Sequence, residues 1–375
     1  MSAPFGVEQD WQEAPADSAD FWDFADEATW TDGLPGIPPT QERIERMLSP
    51  FDLDPDDGLG PVPPAEGDAT FARIAANAVY AGMAPELMPL LLTALEAALQ
   101  PEFNLDGIQA TTHPVAPLII VHGAAVQALG INSGSGLFGP GARANATLGR
   151  AMRLVLMNIG GARPGHRDRA THGQPSKFSF CIGEAAATSP WDAYHTDRLS
   201  LDPAVSAVTV FGSENPHNVN DHVSTDAVGL LSTCASTIAN LGANTAHYSH
   251  GEIHVVLSPE HAATIATSGF SRRDVQLYLY ERARLSVPVL SSGGMHGMDA
   301  WTPWKHAVAR DPAAFLPPLN DPDDLRVLVA GGPGKHSVVL QSFGATRSVT
   351  MPVAERYGPA WERAGLVPAS AEESR

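Results

Sequence analysis

Pro114-Val-Ala-Pro-Leu-Ile-Ile-Val121 is the stretch from which the fold is read. It is a short apolar run with polar residues on both sides, Thr111-Thr-His113 before it and His122-Gly123 after it. A run of this length reads as a strand buried on both faces, centred on Leu118 to Val121. Comparable runs follow at 178–182, 207–211, 252–257 and 326–330. Helical patterns separate them, at 142–158, 224–241, 258–267 and 271–284. This alternation predicts an α/β protein, with a layered mixed or mainly parallel sheet flanked by helices. Upstream, Thr40 reads as the N-cap of a short helix through Leu48. Asp68 is expected to cap a helix to about Gly82, and Pro85 to open another to about Gln100, the two forming a packed hairpin.

The expected organisation is an acidic aromatic arm over residues 1–40 and a helical segment over 41–105. An α/β catalytic body over 106–350 follows, with a sub-domain boundary near 200–205, and then a tail over 351–375. The net charge of −19 speaks against nucleic acid and anionic membrane, which bind through Lys and Arg. Residues 1–40 hold nine acidic residues and no Lys, Arg or His, so about half of the excess lies in the arm. The arm also carries Phe5, Trp11, Phe21, Trp22, Phe24 and Trp30. Two readings stay open: a docking arm that builds a homo- or hetero-oligomer, or an extension folded back on its own body. Two cysteines are too few for a disulfide framework. With no apolar run near membrane-spanning length and no basic, apolar leader, a cytoplasmic bacterial protein is expected.

Four constellations carry candidate chemistry. The glycine-rich loop Ile131-Asn-Ser-Gly-Ser-Gly-Leu-Phe-Gly-Pro-Gly141 offers backbone N–H groups to an anion, with Gly134, Gly136, Gly139, Arg143 and Asn145 as substrate contacts. The fourteen histidines are dense at 214–222, with His217 and His222, and at 247–254, where Glu252 and His254 share a strand face. His217, His222, Glu252 and His254 form a candidate ligand set for Zn, Fe or Mn, and no organic cofactor is expected. The loop Gly331-Gly-Pro-Gly-Lys-His336, with Arg347, reads as a carboxylate or phosphate clamp through Lys335, His336 and Arg347. Cys181 reads as a nucleophile or a buried core thiol. His113 and His122 sit at opposite ends of one strand, so one of them at most reaches the site, and His113 is preferred.

The segments Gln109–Pro117, Phe138–Ala146, Gly331–Ser337 and Phe343–Val349 resemble a group of poorly characterised, mostly actinobacterial proteins associated with the UGSC-type (seleno)proteins. That group's Sec/Cys-Gly-Ser-Cys signature, which implies thiol or selenol chemistry, is absent here. The resemblance therefore implies a bacterial cytosolic enzyme or enzyme subunit without that redox step. The leading expectation is a lyase, hydratase or hydrolase acting on a small anionic substrate, with His217, His222 or His113 in acid–base or metal-assisted roles. The alternatives are a non-catalytic subunit docked through residues 1–40, and a thiol-dependent catalyst using Cys181.

Overall fold

Ala116–His122 forms the long strand β1, as its unbroken apolar run predicts. The computed structural model describes residues 13–15, 17–354 and 357. Further strands are β2 (Cys181–Gly183), β3 (Ala207–Ser213), β4 (His217–Asn220), β5 (Ile253–Leu257), β6 (Leu325–Val329), β7 (His336–Leu340) and β8 (Val349–Pro352). They form two four-stranded sheets rather than one, in the orders β8-β3-β1-β2 and β6-β5-β7-β4. Both sheets are mixed. Each has one parallel pair, β1 with β2 and β5 with β6, and its other pairs are antiparallel. Of the two arrangements expected, mixed or mainly parallel, the mixed one is found, in two sheets instead of one.

The period-2 alternation of each strand sends its side chains to two different cores. Ile119, Val121, Val208 and Val210 face an outer helical layer built from α1 (Phe71–Tyr80), α2 (Met88–Ala98) and α3 (Arg143–Asn158). Leu118, Ile120 and Phe211 face the opposite way and meet Val256, Leu328 and Leu340 of the second sheet. The other face of that sheet, with Val255, Leu257, Val327 and Val339, carries a second helical layer. It consists of α5 (Ala227–Ile238), α6 (Pro259–Thr267) and α7 (Arg272–Arg282); the short α4 (Tyr194–Leu199) precedes β3. The result is four layers, helix, sheet, sheet and helix. Backbone bonds stitch the sheets together: Glu214 N–H donates to Gln341 O at 2.9 Å, and Ala185 N–H to Val329 O at 2.8 Å.

Thr40 caps the helix Gln41–Leu48 as expected, its side chain accepting from Arg43 N–H. Asp68 does not cap α1. It lies in the strand Gly67–Thr70, paired with Gly58–Val62, and Thr70 is the N-cap. The expected helical hairpin is not formed: α1 packs on α3, whereas α2 lies over β3 and β8. One core cluster takes in residues from Phe21 to Tyr357, including both the 41–105 segment and strands of the body. The chain passes from the first sheet to the second between Ser213 and His217, and β8 returns to the first.

The described part of the acidic arm is folded on its own chain. Asp17 caps the helix Ser18–Glu27, Phe21 and Trp30 are buried in the first core, and Asp32 pairs with Arg150 at 2.8 Å. Trp22 is exposed, and Phe5 and Trp11 lie outside the described residues. No helix among the described residues is long and apolar enough to cross a membrane.

Candidate functional site

The layer between the sheets is apolar at its centre and polar at one end. From the first sheet, β1 contributes His122, β3 contributes Thr209 and β8 contributes Thr350, which pairs with Thr209 in the strand register. From the second, β5 and β6 place His254 and Arg326 side by side. Connecting segments add Glu184, Tyr194, His195, Glu252 and Ser348. Among the described residues, His122, Glu184 and His195 are the group whose His, Cys, Asp or Glu donor atoms all lie within 4.8 Å of one another, and all three are buried.

Each member is held by local structure. His122 Nδ1 lies 2.7 Å from Glu184 Oε2, and its Nε2 lies 2.8 Å from Thr209 Oγ1. Thr209 Oγ1 lies 2.8 Å from Thr350 Oγ1, so the chain of polar contacts continues outward. Tyr194 N–H donates to Glu184 Oε1 at 2.8 Å. Burial alone would raise the Glu184 carboxyl; the contact with His122 overcomes it and holds the group below its ordinary value. Burial, with His122 beside it, pushes His195 down to about 4, so this imidazole is neutral at pH 7. Neither ring nitrogen of His195 has a hydrogen-bond partner, although the backbone of Asp202 and Pro203 stands near. A buried imidazole without a partner costs about 1–3 kcal/mol, which a ligand on its free nitrogen would offset.

The two imidazoles and one carboxylate form a donor set that suits Zn, or Fe in a two-histidine, one-carboxylate arrangement. His122 also carries the outer contact that ligating histidines usually have. Its Nδ1 lies 2.7 Å from the Glu184 carboxylate, so a proton sits between them, and a metal ion taken by Nδ1 would displace it while Thr209 keeps hold of Nε2. These residues could therefore hold a metal ion.

A second buried pair adjoins the first through Tyr194, whose ring stacks on His122 at 5.5 Å and leans on His254 at 6.4 Å. His254 lies against Phe211 at 3.8 Å and stands 3.6 Å from Glu252, beyond hydrogen-bond length. Glu252 accepts from Arg326 at 2.5 Å and from the Ser348 N–H and hydroxyl. Burial alone would raise Glu252; His254 and Arg326 hold it well below the carboxylate range. Arg326 Nε and Nη1 have no acceptor, although the residue is only 4% exposed.

The residues expected from the sequence are scattered around this centre. Glu252 and His254 share a face as predicted, and Arg347 stands 3.7 Å from Glu252. His217 and His222 do not join them. His217 lies on the edge strand β4 on the same face as Val219, which packs against the outer helices, opposite to the face of His254. His222 pairs with His336 at 3.3 Å in an exposed position, and Lys335 donates to the His222 carbonyl. In the register of β7 and β5, His336 lies four residues from the partner of His254, roughly 13 Å along the sheet. His113 pairs with Glu214 at 2.9 Å at the far end of β1; the strand delivers His122 instead.

The glycine loop meets the 331–336 loop, with Gly331 N–H on Ser133 O, so two predicted loops do converge. Their polar side chains serve the chain itself. Arg143 donates to Gly82 O, while Asn145 bonds Asn132 and the Cys181 carbonyl. Gly134 closes a turn on Asn132, and Gly139 closes one on Gly136. Cys181 lies in the first core, where burial pushes its thiol up, leaving no accessible thiolate. The sequence reading missed Glu184, Tyr194, His195 and Arg326 and set His122 aside. Its available signal was the polar residue directly following each of two apolar strands, His122 after β1 and Glu184 after β2.

Comparison with protein-family models, curated proteins and solved structures finds no match for this chain.

Proposed function

We propose that this chain is an enzyme of the lyase, hydratase or hydrolase type, acting on a small anionic molecule around the His122–Glu184–His195 group. The observation that carries the reading is the convergence of these three buried donors beside an arginine-lined opening. Nothing in packing alone calls for two imidazoles and a carboxylate within 4.8 Å in a dry layer. Perturbed, buried titratable groups of this kind concentrate at working sites. Tyr194 connects the group to the surface, since it stacks on His122 and lines two cavities, of about 730 and 480 Å³.

The division of labour follows from the contacts. Glu184, fixed by Tyr194 N–H, orients His122, and Thr209 holds the other side of that ring. His195, neutral at pH 7, supplies a free lone pair as a base or a ligand. A bound Zn, Fe or Mn would supply Lewis-acid polarisation or an activated water.

Elemental analysis with thermal melting tests the centre. Reconstitution with Zn, Fe or Mn should leave close to one ion per chain and raise Tm. The Glu184→Gln/His195→Gln double variant should lose both effects, and His217→Ala/His222→Ala should keep them. Ion content that survives the first pair and disappears with the second would move the site to the sheet edge and overturn this reading.

A further inference from the structure

The opening beside the buried group has its own chemistry. The two cavities share Tyr194, Arg198 and Arg326. Arg326 is buried, yet only its Nη2 has an acceptor; Nε and Nη1 have none. A guanidinium cannot shed its charge, so these donors call for an oxygen. The carboxylates nearby are already committed. Glu252 gives one oxygen to Arg326 and the other to Ser348, and Asp324 is taken by Arg347. Glu102 and Asp192 also line the cavities but do not reach these two nitrogens, so an anion in the cavity would supply the acceptor they lack.

Arg198, Arg326 and Arg347 line the smaller cavity with Glu102 and Glu252, and Asp324 holds Arg347 from outside it. Arg198, Arg272, Arg273 and Arg326 line the larger one with Asp192, Asp197 and Asp323, and Glu252 holds Arg326. These ion pairs leave little net positive charge, which suits a singly charged group better than a phosphate dianion. The planar fork of arginine matches the planar carboxylate.

We propose that Arg326 and Arg198, with Tyr194 beside them, seat the carboxylate of the substrate, so that the substrate is a small monocarboxylate. This rests on the reading of the neighbouring His122–Glu184–His195 group as the reaction centre, but the seat can be tested without it. Calorimetric titration of the full chain with butyrate and benzoate, against butyramide, benzamide and inorganic phosphate, supplies the comparison.

At least one carboxylate should bind saturably and at least about tenfold more tightly than its amide, the scale of a charged hydrogen bond. Arg198→Gln, a change at an exposed position, should weaken that binding about tenfold while leaving Tm unchanged. Arg326→Lys should weaken it as well, because the ammonium keeps the charge near Glu252 and loses the fork. Equal binding of acid and amide, no saturable carboxylate binding, tighter binding of phosphate, or indifference to Arg198→Gln would each overturn the proposal. Carboxylate discrimination that persists in Glu184→Gln, in a chain that takes up no metal, would retain the seat and refute the metal centre alone.

Discussion

At the edge of the second sheet His222 and His336 stand 3.3 Å apart in the open, while between the sheets His122 and His195 stand in a layer closed to water. His222 comes from one of the two histidine-dense segments, 214–222, and His336 from a glycine-rich loop, so the sequence favours both. The buried pair comes from two residues 73 positions apart, one ending a strand and one in a six-residue helix. Exposed imidazoles keep their water and need no partners. Buried ones must find hydrogen bonds, neutralise or bind a ligand, so desolvation puts demands on the inner pair that the edge pair does not face.

The comparison is broken most sharply by removing one member from each region. His122→Ala leaves the Glu184 carboxylate buried beside a void and should cost about 3–5 kcal/mol in urea unfolding. His222→Ala should change stability by no more than about 0.5 kcal/mol. Equal costs would show that burial is not what distinguishes the two regions.

Acid sharpens the same contrast. His195 holds a folded pKa of about 4 against an ordinary 6.5, so the unfolded chain binds the extra proton between those values. Its contribution is intact above pH 6.5 and is lost as pH falls toward 4, by up to about 3 kcal/mol. His195→Gln should flatten the stability slope across that window by close to one proton, and His222→Gln should leave it alone. His247, His254 and His261 are likewise lowered by burial, so a slope remains in the variant. The smallest effect is expected at the outer end of the contact chain. Thr350→Val removes one hydroxyl partner of Thr209 and should cost about 1 kcal/mol in the same assay.

The sequence revealed the parts of the fold that hydrophobic burial dictates. The runs at 116–122, 207–213, 253–257 and 325–329 are apolar because both of their faces meet a core, and they were legible for that reason. His217–Asn220 gives no strand signal, because an edge strand with one buried residue has almost no apolar pattern. The division into two sheets was hidden, since a strand packed between a helix and another sheet is as apolar as one between two helices. Glu252 with His254 emerged from strand parity. Glu184, Tyr194, His195 and Arg326 did not, because their meeting depends on how the sheets stack and not on spacing along the chain.

The strand Val349–Pro352 returns to the first sheet after the chain has completed all four strands of the second. On a ribosome, the partner of Thr209 and one wall of the smaller cavity are thus delivered last. A nascent chain stalled before Val349 has its second sheet but leaves the long edge of Ala207–Ser213 bare, an invitation to pair with a neighbouring strand. Completing the site and protecting that edge are then a single event in the assembly of the molecule.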